Sequence, residues 1–202
     1  DDSISVEDNG RGMPVDPHPE HKVSGVEVIM TNLHSGAKFS EKNYKFSGGL
    51  HGVGVSIVNA LSEFLNITVY RSNDTNEYTM LFANGDIKRK LTKKKKKVKK
   101  KQGTIITFKA NTKYFDDQNL DIKNLTHLIK AKSILQPKLK MILIDDRYGT
   151  GKIEFYHEGG LPDYLTSNLS NDEIFLPQNT YFGTIETDTY SIDWSCVWLE
   201  TS

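Results

Sequence analysis

Ser47-Gly48-Gly49-Leu50-His51-Gly52-Val53-Gly54 is the stretch on which the fold turns. After it Val55, Val58 and Leu61 recur at helical spacing, so a helix is expected to begin near Gly52 with those three on its inner face. Glycine-rich backbone at a helix start presents several unpaired N–H groups, and the helix dipole adds partial positive charge there. Together these form a cradle for phosphate. A hinge or a close packing contact would call for the same glycines, so this loop decides nothing alone.

A second glycine cluster lies upstream. Ser3-Ile4-Ser5-Val6 alternates polar and apolar like a strand, and Asp8-Asn9-Gly10-Arg11-Gly12-Met13-Pro14 follows it directly. A carboxylate at a strand end can accept a hydrogen bond from an exocyclic amine, and glycines let a flat ligand lie against the backbone. Asp-Asn-Gly is also a common turn. The two clusters sit at opposite ends of one helical region, and a nucleotide held between them accounts for both. Other nucleotide signatures fail. Gly149-Thr150-Gly151-Lys152 resembles the tail of a P-loop, but Asp146 stands where the first glycine belongs and Ile153 where Ser or Thr belongs. No strand–glycine loop–helix unit with a ribose-binding acid is evident.

Outward from these clusters the chain reads as runs of strands broken by a few helices. Ser24-Gly25-Val26-Glu27 has the form of a capping box, with Val26, Ile29, Met30 and Leu33 following as one buried face. Leu65, Ile67 and Val69 alternate as a strand. Asn84-Gly85 is a hairpin turn between strands at 77–83 and 86–91. A β-rich run covers 104–108, and a helix at 121–135 is stopped by Pro137. A second hairpin joins 141–144 to 153–156, a short helix spans 161–169, and strands at 181–187 and 190–199 close the chain. The pattern favours an α+β fold, a mixed β-sheet with helices on one face.

At 202 residues the chain fits one domain or one plus part of a second, and 37% hydrophobic content suffices for one core. No apolar run approaches the length of a bilayer span and no signal peptide follows Asp1-Asp2-Ser3, so a cytoplasmic location without membrane contact is expected. Cys196, flanked by Trp194, Val197 and Trp198, reads as a small core residue. His18-x-x-His21 reads as loop, and no metal ligands are expected in this chain. Positive and negative charges balance, but eight lysines fall in the nine positions 93–101, so the remainder is acidic. Such a run repels itself and is expected to be a flexible, solvated loop. A surface insertion between strands is favoured over a nucleic-acid contact.

In this order and spacing both clusters resemble the Bergerat-fold (GHKL) ATPases: gyrase, heat-shock chaperone, sensor histidine kinase and mismatch-repair proteins. Gly10-Arg11-Gly12-Met13-Pro14-Val15-Asp16, His18-Pro19-Glu20, Leu33-His34-Ser35-Gly36-Ala37-Lys38-Phe39 and Asn43-Tyr44-Lys45-Phe46 leading into the glycine stretch look like B subunits of bacterial type II DNA topoisomerases. So does Val58-Asn59-Ala60-Leu61-Ser62, and segments 128–132 and 156–161 extend the likeness over nearly the whole chain. Met13, Lys42-Asn43-Tyr44 and Lys130-Ala131-Lys132 look more like topoisomerase IV than gyrase, which is the alternative.

The resemblance implies a two-layer Bergerat sandwich, with residues 1–202 as one ATP-binding domain truncated at its N-terminus, and ATP and Mg²⁺ as cofactors. By position, Asp8 accepts the adenine amine, Gly12 and Thr104 complete the adenine contacts, and Met13 and Ile29 pack on the base. Gly49, Leu50, His51, Gly52, Val53, Gly54 and Val55 wrap the phosphates, with His51 either a phosphate-loop residue or structural. Lys38 lies near the phosphates, Tyr44 near the nucleotide edge, and Arg71 where such B subunits meet ATP-competitive inhibitors. Implied partners are DNA through the full enzyme, the topoisomerase IV A subunit, and a second B subunit on ATP binding, in a nucleoid-associated bacterial setting. The family's general-base Glu and Mg²⁺-holding Asn are expected upstream of residue 1, so this chain alone is expected to bind nucleotide without hydrolysing it. Two rivals are a DNA-binding module built on the lysine run and a histidine-kinase catalytic domain. The latter leaves the long topoisomerase-like blocks unexplained.

Overall fold

The computed structural model describes residues 2–35, 52–96, 102–115, 120–147, 151–169 and 175–199, with backbone alone at 175–179. The chain divides into two compact units, Asp1–Asn119 and Leu120–Ser202.

The first unit is built on a five-stranded sheet of order β1-β5-β2-β3-β4. Its strands are β1 (Ile4–Glu7), β2 (Ser62–Tyr70), β3 (Asn76–Ala83), β4 (Asp86–Lys95) and β5 (Gly103–Ala110). Every pairing is antiparallel. Leu65, Ile67 and Val69 of β2 point inward as their alternation predicts and form the core with Met80 and Phe82 of β3. Val26 and Met30 join them from α1 (Gly25–Thr31), and Val55 and Val58 pack on that core from α2 (Gly54–Ala60). The expected α+β class, helices over a sheet, is therefore present. Each helix has only seven residues, too short to persist alone, so side-chain burial at about 1.5–3 kcal/mol each must hold them.

The helix faces differ from those expected. Ser24 Oγ accepts from the Glu27 N–H at 3.2 Å, the predicted cap. The helix stops at Thr31, where Asn32 turns extended (φ −106°, ψ 133°). Leu33 is thereby carried off the buried face and is 61% exposed, while Val28 enters the core at 3%. Helix α2 begins at Gly54, two residues later than expected, because Gly52 is left-handed (φ +61°). Its buried positions are Ser56 and Asn59, with Val55, Val58 and Leu61 half-buried. Asn59 Nδ2 donates to Met30 O and Gly85 O, both at 3.1 Å, tying α1, α2 and the β3–β4 turn together. In that turn Asn84 and Gly85 both have positive φ (53° and 85°), as a two-residue hairpin requires.

Strand β4 runs further into the lysines than expected. Lys93, Lys94 and Lys95 pair with Tyr78, Glu77 and Asn76, so this part of the 93–101 run is strand and not loop. An edge strand can carry such charges because its backbone pairs on one side while its side chains reach solvent. Residues 97–101 lie outside the described residues.

In the second unit, α3 (Ile122–Ile134) is capped by Asp121, whose side chain accepts from Asn124 N–H. Strands β6 (Met141–Asp145) and β7 (Gly151–Phe155) form a hairpin, followed by α4 (Leu161–Ser167) and the pair β8 (Phe175–Glu186) and β9 (Ser191–Leu199). Lys152 belongs to β7 and its Nζ lies 2.5 Å from Glu154 Oε1 in a solvent-facing ion pair, while Gly149 and Thr150 lie outside the described residues. Cys196, read as a core residue, is only half-buried, since the two-stranded β8–β9 layer leaves Trp194 and Trp198 43% and 60% exposed. Among the described residues no helix is long and apolar enough to cross a membrane.

These burial assignments predict that Ile67→Ala lowers the stability measured by urea denaturation by about 2–5 kcal/mol. Leu33→Ala should change it by no more than ~0.5 kcal/mol, and a core-sized loss at Leu33 would restore the longer helix read from periodicity.

Candidate functional site

Asp8 sits one residue beyond β1 and continues its ladder, its N–H donating to Thr104 O at 3.0 Å. The chain then turns sharply, with Gly10 N–H donating to Asp8 Oδ1 at 2.8 Å in an Asx turn. It returns so that Met13 N–H donates to Thr104 Oγ1 at 3.3 Å. One buried threonine, 4% exposed and opposite Val69 in the β2–β5 register, thus anchors both ends of the loop. Asp8 Oδ2 and the Thr104 hydroxyl proton have no partner among the described residues. The site offers an acceptor and a donor on adjacent strand ends.

Two glycines make this closeness possible. Gly12 is left-handed (φ +77°), and a Cβ there would lie 2.6 Å from Tyr70 O and 3.0 Å from Val69 Cγ1. Gly103 (φ +119°) is tighter: a Cβ would lie 1.8 Å from Asp8 O. Sequence reasoning misses Gly103. Its signal is a glycine placed directly before the β-rich run that begins at Thr104.

The structure brings Asp8, Gly12, Met13 and Thr104 into this one arrangement. Met13 is half-buried and packs on the core, and Ile29 is half-buried on α1. Gly52, Val53, Gly54 and Val55 form the approach to α2, which packs on α1, but no described hydrogen bond joins them to the Asp8 loop. Val53 caps the helix by backbone only, with no side-chain cap bond. Gly54 faces open space, since a Cβ there would meet nothing within 4 Å. The expected Lys38, Tyr44, Gly49, Leu50 and His51 lie outside the described residues. A separate concavity of about 550 Å³ is lined by Met30, Thr31, Ser56, Asn59, Gly85 and Ile87, without Asp8, Gly12 or Thr104.

Arg71 follows β2, with Nη1 4.0 Å from Asp16 Oδ2 and both side chains substantially exposed, so the pair adds little stability. Lys96 Nζ donates to Arg71 O at 2.7 Å. Nearby, Asp74 accepts from Tyr78 Oη at 2.5 Å and from Asn76 N and Nδ2, each at 2.8 Å. The Tyr78 bond first, then Asn76, holds the Asp74 carboxyl below the usual aspartate range, and the same bond raises the Tyr78 phenol. At the loop preceding α1, His18 Nδ1 accepts from Glu20 N–H (3.3 Å) and His21 N–H (3.5 Å), while His18 N–H donates to Val23 O at 2.7 Å. The ligand atoms of His18, Glu20 and His21 fall within 4.8 Å of one another, but His18 Nδ1 is already engaged in closing the turn.

Comparison with known proteins gives a consistent result. The model of the histidine kinase-, DNA gyrase B-, and HSP90-like ATPases (HATPase_c) matches residues 1–113, inside the first unit. The B subunit of DNA topoisomerase 4 from Haemophilus influenzae is 45% identical over 199 residues, 98% of this chain and 31% of that protein. The B subunit of DNA gyrase from Rickettsia prowazekii is 43% identical over 164 residues, 81% of this chain and 20% of that protein. The topoisomerase IV ATP-binding domain of Francisella tularensis, solved with a small-molecule inhibitor, superposes with a TM-score of 0.72 at 40% identity. That match covers 92% of this chain and 47% of the solved one. The chain therefore spans under a third of the curated relatives and about half of the solved domain. The resemblance read from the glycine blocks is borne out.

Two outcomes follow from this geometry. Gly103→Ala should destabilise the first unit by about 2 kcal/mol or more in urea denaturation, through a left-handed backbone and a clash with Asp8; Gly54→Ala should be neutral or stabilising by up to ~1 kcal/mol. Because the Asp74 carboxyl is depressed, its contribution is complete at neutral pH and is lost as pH falls below the ordinary aspartate range. Urea midpoints followed from neutral pH into acid should decline less steeply in Asp74→Asn than in wild type. Parallel curves would exclude Asp74 as a contributor.

Proposed function

Because the chain belongs to the histidine kinase-, DNA gyrase B- and HSP90-like ATPase family, we propose that it is the ATP-binding part of a topoisomerase IV B subunit. In the complete protein, ATP binding and hydrolysis drive DNA strand passage, decatenation and relaxation. The observation that carries the reading is the Asp8–Thr104 arrangement. A carboxylate oxygen and a hydroxyl proton, side by side and anchored through the same threonine, complement the amine donor and ring-nitrogen acceptor on the edge of adenine. Gly12 lets the loop lie directly against Tyr70 and Val69 of β2, and Met13 and Ile29 supply apolar surface for the faces of the base.

The approach to α2, Gly52 through Val55, contributes N–H groups for the phosphates, with Gly49, Leu50, His51 and Lys38 assigned to the same task by resemblance. Tyr44 is assigned to the nucleotide edge and Arg71 to inhibitor contact on the same basis. Bound ATP would bring a hydrolysable phosphoanhydride with its Mg²⁺, and no residue of this chain is assigned to hold the metal. The adenine site falls within the first unit, and residues 120–202 continue the same polypeptide, since the topoisomerase IV relative aligns through them. DNA, the topoisomerase IV A subunit, a second B subunit and ATP-competitive inhibitors are the proposed partners, in the bacterial cytoplasm at the nucleoid.

Gyrase B is the second reading, supported by nearly equal identity. Topoisomerase IV is favoured because its alignment covers 98% of this chain against 81% for the gyrase relative.

Calorimetry with a non-hydrolysable ATP analogue should show saturable binding by this chain. Asp8→Asn should weaken it at least tenfold, about 1.4 kcal/mol, with circular dichroism unchanged. Equal affinity in the folded variant would sink the adenine assignment.

A further inference from the structure

We propose that β4 is a docking strip for the phosphate backbone of duplex DNA. The choice of DNA among polyanions rests on the topoisomerase reading; the strip itself rests on geometry. Strand β4 carries six cations, Lys88, Arg89, Lys90, Lys93, Lys94 and Lys95, against one acid, Asp86, at its turn end. All six are exposed, and among the described residues none forms an ion pair.

The neighbouring strand does not neutralise them. Glu77 lies opposite Lys94 in the β3–β4 register, yet it accepts from Tyr70 Oη at 3.4 Å and makes no ion pair with that lysine. Among the described residues the opposite edge of β4 has no partner in the sheet order, so the cations line a free border there. Six uncompensated cations along about 23 Å of strand, roughly one per 4 Å, approach the spacing of phosphates along one strand of a duplex, ~3.4 Å per charge.

The composition of β4 also selects the partner. Its apolar members Ile87 and Leu91 pack inward against the core, leaving no exposed apolar group to enter a lipid interface. It carries no aromatic side chain on which unpaired bases could stack. Long, flexible cations without stacking groups suit sequence-independent contact with duplex phosphates.

The test is duplex-DNA binding by the whole chain, measured by fluorescence anisotropy across a salt series. The variant is Lys88→Gln, Lys90→Gln, Lys93→Gln and Lys94→Gln together, with residues 97–101 left unchanged. Wild type should bind with an affinity that falls steeply as salt rises, the log–log slope growing by about 0.9 for each phosphate neutralised. The glutamine variant should bind about tenfold more weakly at low salt, with a slope shallower by roughly two units or more. Arginine at the same four positions should preserve both. No salt-dependent binding by wild type, or an unchanged slope in the glutamine variant, overturns the proposal. Calorimetry with the ATP analogue, run on the same samples, separates the two readings. Retained nucleotide binding shows the variant is folded, whereas absent binding in wild type defeats the ATP-site reading and leaves the slope comparison to judge β4.

Discussion

The backbone of Asp8 and Asn9 lies directly upon Gly103, in a space no side chain could share. That steric constraint governs the Asp8–Thr104 end of the first unit. With Gly103 bare, the Asp8 N–H reaches Thr104 O and the β1–β5 ladder runs one step past the end of β1. The loop then closes back on the same threonine through Met13. Gly12 repeats the arrangement one strand further, against Tyr70 and Val69 of β2. Both glycines take left-handed backbone that other residues adopt only with strain. Their conformational cost is offset by a carboxylate and a hydroxyl held in register by backbone hydrogen bonds rather than by flexible side chains.

The layer over the sheet obeys a different constraint. Its helices are each two turns long, and isolated helices of that length do not persist in water. They are held by Val26 and Met30, which are fully buried, and by Asn59, whose amide spans two carbonyls from two other elements. The Asn59 Nδ2 donors are both satisfied, while its buried Oδ1 has no partner among the described residues. The amide therefore contributes to how α2 seats between α1 and the hairpin turn more than to net stability. The same logic explains why the approach to α2 keeps Gly52 and Gly54: the helix gains its stability from the core face and leaves its first turn uncapped by side chains.

Charge in the first unit is sorted by position. The acid of the loop after β1, Asp8, lies on one edge of the described sheet, whereas the cations collect on β4, its other edge. Three strands separate them, so a polyanion engaged by β4 and a nucleotide engaged at Asp8 need not compete for the same residues. The family match covers residues 1–113, within this unit, and both proposed surfaces fall in that span.

Much of this was legible in the amino-acid order. Alternation of Leu65, Ile67 and Val69, the Asn84-Gly85 turn, the Ser24 cap and the helix read at 121–135 all rest on local rules of period and turn chemistry, which operate whatever the rest of the chain does. The glycine blocks were legible too, since close approach and phosphate cradling both demand missing side chains. Tertiary structure alone decided the rest. Leu33 fits the helical period but leaves the core because the helix ends before it, and Val28 fails the period yet is buried. Lysines that look like loop become strand because pairing with β3 satisfies their backbone and the edge leaves their charges in water. Gly103 shows its purpose only when Asp8, some ninety-five residues earlier in the chain, is laid against it. Local pattern reports what a residue prefers; only the packed fold decides which distant backbone it must admit.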